Sequence, residues 1–315
     1  MPTLDSSDPC SNEFADQHIH GLAGVDFATS PTSDIRAALE LLRTRRTTQV
    51  TASIPTVQQP DIAAILDRLR PIFNDELLAG VHFEGPFIAE DFAGAHPRQA
   101  VRSPAEPKGQ AFLATVLEHQ AETPMVTMMT VAPELDGFVD LVDTLVTHGI
   151  TPALGHTAAT YEQMQTGIEV IHQLTGQPVT ITHLYNAMRG FHHRKPGPLL
   201  AVFEAAQQKR VSIELIADGH HVHPELITWW FNNFPAAIRL VSDASAATLP
   251  VGSQPLTTHS PTLGTVPLRY PDSGGPMLAN GRTIASGASD LLAVHDELVN
   301  SGLDHDLVCA AMRIR

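Results

Sequence analysis

Six segments of this chain close an apolar run on histidine or a carboxylate, the residue types that bind metals and move protons. The first reads Asp16-Gln17-His18-Ile19-His20-Gly21. The others are Gly80-Val81-His82-Phe83-Glu84-Gly85-Pro86, Leu154-Gly155-His156-Thr157, Thr182-His183-Leu184-Tyr185-Asn186, Ala217-Asp218-Gly219-His220-His221 and Val241-Ser242-Asp243-Ala244. In an extended strand, residues two apart share a face, so His18 and His20 can point at one metal. A single histidine at a strand end is more often structural than functional. Five runs closing on Glu, His or Asp, together with an H-x-H, are much harder to produce by accident. Glu84, His156 and His183 form a mixed N/O donor set suited to Zn²⁺ or Fe²⁺. Asp243, closing the last run, is then free to act as a general base.

Such groups need elements that bring them to one place. Strands are predicted at Ala15–His20, Gln49–Ile54, Leu78–Glu84, Met125–Val131, Thr151–His156, Val179–Leu184, Ser212–Ala217 and Ile238–Ser242. Helical periodicity fills the gaps at Ser33–Arg46, Asp61–Phe73, Pro107–Glu122, Asp136–His148, Thr160–Leu174, Gly197–Lys209 and Pro224–Phe234, with Ser33 as a cap and Thr160/Gln163 as a capping box. Eight strands alternating with helices predict a (β/α)₈ TIM-type barrel, whose active sites form at the C-terminal strand ends. The rival open sheet calls for a Gly-rich phosphate loop that is missing here. Residues 1–14 read as an N-terminal tail and 15–315 as the barrel domain. Gly, Pro, Ser and Thr break the pattern at about 250–287, an irregular insertion, before a final helical region, Ala288–Arg313.

The bulk numbers narrow the function. With 315 residues, 43% apolar and 17% charged, the chain is a globular domain of barrel size. A net charge of −15 argues against nucleic acid as a partner. It would also repel a phosphorylated metabolite, so a phosphate needs a local basic island. His192-His193-Arg194-Lys195 is the one dense basic run near a predicted site. Seventeen histidines against nineteen Lys plus Arg is an unusual proportion, and their positions at strand ends give it meaning. Cys10 and Cys309 are not in a paired spacing and imply no disulfide framework. No apolar run reaches membrane-span length, and Met1 to Phe14 lacks the pattern of a secretory signal, so the expected location is the cytoplasm.

Five motifs in order, GVHFEGP (80–86), GHTAA (155–159), THLYNAM (182–188), ADGHHV (217–222) and LVSDA (240–244), make the chain resemble the N-acetylglucosamine-6-phosphate deacetylases of the amidohydrolase superfamily. The resemblance runs from about Asp16 to the C-terminus. It implies that Glu84, His156 and His183 hold the main metal, and that His18 and His20 hold a second, with Glu84 between them. Some members lack the H-x-H pair and use one metal. It further implies Asp243 as the acid/base, His96 near the scissile carbonyl, and Asn186, Ala187, Arg194 and His221 as contacts to the sugar phosphate. Arg194 would reach in from a neighbouring subunit of a homodimer. The implied activity removes the N-acetyl group of the 6-phosphate, giving glucosamine 6-phosphate and acetate. Two departures stand out. Family members build a small β-sandwich from both chain ends, and it is expected to be largely missing here. Ala158 stands where Asn or Asp is common, which would weaken support of the neighbouring ligand. The residues alone also fit another metal-dependent amidohydrolase, a cyclic amidase or aminohydrolase, or a non-catalytic relative that binds a sugar phosphate.

Overall fold

The computed structural model describes residues 13–248, 259–260, 266–269, 275–278, 280–281 and 283–313. Eight parallel strands form one sheet in sequential order. They are β1 (Phe14–Ile19), β2 (Thr47–Pro55), β3 (Gly80–Glu84), β4 (Val126–Val131), β5 (Thr151–Leu154), β6 (Val179–Ile181), β7 (Val211–Ile216) and β8 (Ile238–Val241). The circle closes where the Asp243 amide donates to the His18 carbonyl (2.8 Å) and the His20 amide to the Ala244 carbonyl (2.7 Å). The Asp16 carboxylate reinforces the seam by accepting from the Ser242 amide at 3.2 Å. Burial pushes this carboxyl up to about 7, against the pull of its bonds to Ser242 and His18.

Helices α1 (Thr32–Thr44), α2 (Ile62–Asn74), α3 (Pro107–Glu122), α4 (Phe138–Thr147), α5 (Tyr161–Thr175), α6 (Gly197–Gln207), α7 (Pro224–Asn233), α8 (Leu291–Asn300) and α9 (His305–Ala311) pack outside. Strand alternation explains which residues face them. On β3, Val81 and Phe83 face outward, Phe83 meeting Phe112 of α3 with ring centroids 5.7 Å apart. His82 and Glu84 therefore face inward. TIM-barrel interiors are dominated by branched apolar residues. Here the inner layer near the mouth carries His18, Ser53, His82, Thr130, Thr182 and Glu214, all buried. They satisfy one another: Ser53 Oγ lies 3.0 Å from His82 Nδ1, His82 Nε2 is 2.8 Å from Thr130 Oγ1, and Thr130 Oγ1 is 2.8 Å from Thr182 Oγ1.

All eight predicted strands and the fold class agree with the structure, and the Thr160/Gln163 capping box is present. Several boundaries shift. β1 takes in Phe14, whose ring is buried against His295, so the predicted tail ends sooner. Ser33 is not the cap of α1. The helix starts at Thr32 after Pro31, whose fixed φ of −58° pre-sets the first turn. The final helical region is two helices, broken at Gly302 (φ 96°) and restarted by Asp304, which accepts from the Leu307 amide. Strands β5 and β6 stop before His156 and His183. Cys309 is disulfide-bonded, where the spacing implied no disulfide framework; Cys10 lies outside the described residues. Much of the predicted 250–287 insertion also lies outside them. Its described parts include β9 (His259–Ser260), β10 (Val266–Arg269) and β11 (Met277–Leu278), a three-stranded antiparallel sheet. No helix among the described residues is long and apolar enough to cross a membrane.

Gly287 lets the end of the insertion lie on β8. A Cβ there would come within 1.9 Å of the Ser242 carbonyl oxygen, while the Gly287 amide donates to the Asp243 carbonyl at 2.7 Å. Gly287→Ala is expected to destabilise the fold by about 1–3 kcal/mol, the usual cost of overpacking. Urea denaturation would measure it, and an unchanged midpoint would contradict the packing argument.

Candidate metal centre

Seven predicted side chains converge at the C-terminal mouth. His18 comes from β1, His20 follows it, Glu84 ends β3, and His156, His183 and Asp243 follow β5, β6 and β8. His96 arrives from the loop after β3. Glu84 is the hub. Its Oε1 lies 2.8 Å from both His156 Nε2 and His183 Nε2, which are 3.1 Å from each other. Its Oε2 lies 3.3 Å from His20 Nε2 and 3.6 Å from His18 Nε2. Asp243 Oδ1 lies 3.2 Å from His20 Nε2 and 3.6 Å from His18 Nε2. A tetrahedral cation with bonds of about 2.0–2.2 Å separates its ligand atoms by roughly 3.3–3.6 Å. The observed spacings bracket that value in two adjacent groups that share Glu84.

Three site residues, two ligand candidates and the acid/base candidate, stand beyond their strands in the left-handed region: His156 at φ 46°, His183 at 25° and Asp243 at 49°. That region is costly for residues with a Cβ and recurs where function requires strain. Here it turns the side chains from the strand direction into the mouth.

For three of the ligand rings the far side fixes the Nδ1 proton, whereas His183 Nδ1 is buried without a partner. His156 Nδ1 faces the Phe92 carbonyl at 2.7 Å, and His20 Nδ1 faces the Ser53 carbonyl at 3.0 Å. His18 Nδ1 faces the Glu214 carboxylate at 3.0 Å. Carbonyls and carboxylates accept, so these Nδ1 atoms donate, which leaves Nε2 of each ring, facing Glu84 and Asp243, as the atom that can take a proton or bind a cation. Nε2 atoms aimed at carboxylates need positive charge between them, a proton on the ring or a bound cation. His18 Nε2 is buried without a hydrogen-bond partner, as a ligand atom would be before coordination. The donor set therefore fits a divalent metal. Burial lowers the pKa of His20, but Asp243 and Glu84 outweigh it and push it up to about 9, so the cluster calls for positive charge. Burial alone would raise the Glu84 pKa; the imidazoles around it hold it well below the usual range.

His96 has the opposite tautomer. Its Nδ1 accepts from the Thr56 amide (3.1 Å), which puts the proton on Nε2, 3.1 Å from Glu84 Oε2. Burial keeps the ring neutral by lowering its pKa. His96 is thus a donor into the site.

A cavity of about 290 Å³ opens over the cluster, lined in part by His20, Glu84, His96, His156, His183, Asn186, Ala187, His221 and Asp243. That is near the lower bound of small-molecule sites, about 300–1,000 Å³. Leu268, Thr283, Ile284 and Ala285 from the insertion complete its wall. Arg194 is exposed and is not among the lining residues, so the structure does not bring it to the other candidates.

Three supporting residues went unread in the sequence, and a fourth, Asp218, was read only as the close of an apolar run. Asp218 accepts from His221 Nδ1 (2.9 Å) and from the His220, His221 and Ala288 amides. Glu134 accepts from the Thr157 hydroxyl and the Ala158 amide, both at 2.5 Å, so the loop after His156 is held despite Ala158. Thr56 orients His96, and Glu214 orients His18. Of the three unread residues, Glu214 alone left a signal: a lone carboxylate within the apolar run Val211–Ile216.

No protein-family model matches the chain. Individual proteins do. It is 34% identical over 253 residues to an N-acetylglucosamine-6-phosphate deacetylase of Danio rerio, covering 77% of this chain and 60% of that protein. It is 30% identical to an N-acetylgalactosamine-6-phosphate deacetylase of Escherichia coli O157:H7, covering 76% and 61%. The chain thus spans about 60% of the length of these relatives. The solved N-acetyl-D-glucosamine-6-phosphate deacetylase of Mycobacterium smegmatis is 31% identical, with a TM-score of 0.79 over 96% of this chain and 75% of that one. A mutant of that protein has been solved with N-acetyl-D-glucosamine 6-phosphate. With this identity across three quarters of a solved relative and the same barrel, the chain belongs to the N-acetylglucosamine-6-phosphate deacetylase family.

Proposed function

We propose that this protein hydrolyses the acetamide of N-acetylglucosamine 6-phosphate to glucosamine 6-phosphate and acetate. The observation that carries the reading is the set of Nε2 atoms converging on Glu84 and Asp243, with His18 Nε2 buried and unpartnered. Glu84, His156 and His183 would hold one divalent cation, and His18 and His20, with Glu84 between, a second. Zn²⁺ is our assignment, and Fe²⁺ suits the same donors. A cation there supplies Lewis acidity and lowers the pKa of water toward about 7.

The chain's own groups supply the rest. Asp243 takes a proton from the attacking water at Oδ1 and returns it to the leaving amine. His96 donates a hydrogen bond from its Nε2–H to the developing acyl oxyanion and keeps the proton. Asn186, Ala187 and His221 line the cavity and would hold the sugar phosphate. The lining contains no Lys or Arg among the described residues, so beyond His221 a further source of positive charge is needed for the phosphate. An exposed Arg194 fits that need if it enters the site of a second copy in a homodimer. We place the reaction in the cytoplasm, because a phosphorylated sugar does not cross membranes unaided.

The test is acetate release from N-acetylglucosamine 6-phosphate, beside N-acetylgalactosamine 6-phosphate and the unphosphorylated sugar, with metal measured on the same sample. Turnover of the first with stoichiometric metal is expected. No turnover, or no bound metal, would refute the reading.

His221 gives a second expectation. Burial lowers its pKa, but the Asp218 carboxylate outweighs this and raises it. The imidazolium persists below the raised pKa and is lost as pH climbs through it, so KM for a phosphorylated substrate should rise on the alkaline side. Asp218→Asn should increase KM by about 10-fold at neutral pH, since a hydrogen bond to a charged group contributes about 1.5–3 kcal/mol. It should also move the KM rise to lower pH. Steady-state kinetics against pH would check both.

A further inference from the structure

We propose that Glu214 is a positioning residue that builds the second cation subsite by locking His18. The inference rests on the two-subsite reading above. Glu214 projects from the middle of β7 into the barrel, almost fully buried. A carboxylate in that layer is costly unless its partners justify it. Its Oε2 accepts from His18 Nδ1 at 3.0 Å and from the His183 amide at 3.4 Å, and its Oε1 is buried without a partner.

A plain core role does not account for this arrangement. An apolar side chain would fill the space without stranding an oxygen. The contact with His18 does account for it. A carboxylate accepts only, so it forces the His18 proton onto Nδ1 and turns the Nε2 lone pair to the mouth. Nε2 then stands 3.6 Å from both Glu84 and Asp243, bonded to neither. Carboxylate–imidazole–metal series of this kind fix the ring and raise its basicity as a ligand. His20 relies on a backbone carbonyl for the same service, and His156 on another. His18 alone among these three depends on a side chain, so its subsite can be weakened by one substitution.

The experiment strips the full-length protein of metal and titrates it with Zn²⁺ by calorimetry, and with Co²⁺ by visible absorption. Wild type is expected to take up two equivalents. In Glu214→Gln one equivalent should bind about 10–100-fold more weakly, the usual cost of losing an outer carboxylate, while the other stays within a factor of about three. Nitrogen NMR of the imidazoles should show His18 losing its fixed tautomer. Glu214→Asp, which keeps the charge but withdraws it, should weaken the same equivalent if the Gln variant folds poorly. In His18→Asn, adding Glu214→Gln should cost nothing further in cation binding. Two equivalents bound as tightly as in wild type, or both weakened equally, would overturn the role of Glu214. A wild type that binds only one would overturn the two-subsite reading itself, and the role of Glu214 with it.

Discussion

Asp243→Asn is expected to lower kcat for acetate release from N-acetylglucosamine 6-phosphate by about 10²–10⁴-fold, the contribution of a positioned general acid–base group. Asn keeps the shape of the side chain but cannot take the proton. Burial raises the Asp243 pKa, yet the hydrogen bond from His20 and the charges of His18 and His20 outweigh it and lower it. The group is therefore a carboxylate, ready to accept, at neutral pH. Its place is fixed from both sides: the Asp243 amide donates to the His18 carbonyl, and its own carbonyl accepts from Gly287. Because that backbone frame survives the substitution, the variant should fold. Glu84, His156 and His183 are untouched, so it should retain at least one equivalent of metal. Wild-type turnover in the Asn variant would remove Asp243 from the mechanism.

Glu84→Gln should act earlier, on the cation. Glu84 is within 3.6 Å of five imidazole Nε2 atoms, those of His18, His20, His96, His156 and His183. It is the one carboxylate shared by both groups of ligand atoms. The amide keeps one acceptor and replaces the other with a donor, turning N–H toward lone pairs or cation. Metal affinity should fall by more than the 10–100-fold typical of an outer-sphere change, and acetate release with it. Metal analysis after gel filtration, beside the assay, would check this. Full metal occupancy in the variant would mean that the hub has been misidentified.

The two variants separate two failures. Asp243→Asn should keep metal and lose turnover, whereas Glu84→Gln should lose both. A variant of Gly287 or Asp218 affects the same centre from outside, through packing against β8 or through the charge on His221. Read together, they distinguish a catalytic centre from a structural histidine cluster, which would respond through stability alone.

Much of the barrel was legible in the chain because its signals are local. Alternating strand and helix periods depend on residues a few positions apart, and they marked all eight strands. The chemistry-bearing residues were visible for the same reason: a polar side chain closing an apolar run is unusual wherever it occurs. The sequence by itself thus determined the βα order, the strand ends that carry His18, His20, Glu84, His156, His183 and Asp243, and the five motifs of the family.

What the tertiary structure decided depends on distance in space. Glu214 and His18 are 196 positions apart, and only closing the circle puts Oε2 against Nδ1. The Nδ1 roles follow from such partners, which is why His96 separates from the ligands as a donor through Nε2 while His18, His20 and His156 donate through Nδ1 and turn Nε2 to the mouth. The left-handed turns at His156, His183 and Asp243 have no periodic signature, since surrounding packing imposes them on residues that would not choose them. Arg194 shows the converse: its basic run is plain in the sequence, but what it contacts depends on tertiary and quaternary placement, and within one chain it is exposed outside the cavity. Residue type and spacing record which groups a segment offers, but hydrogen-bond partners and cation-sized gaps arise only when segments distant in sequence are held together by the closed sheet.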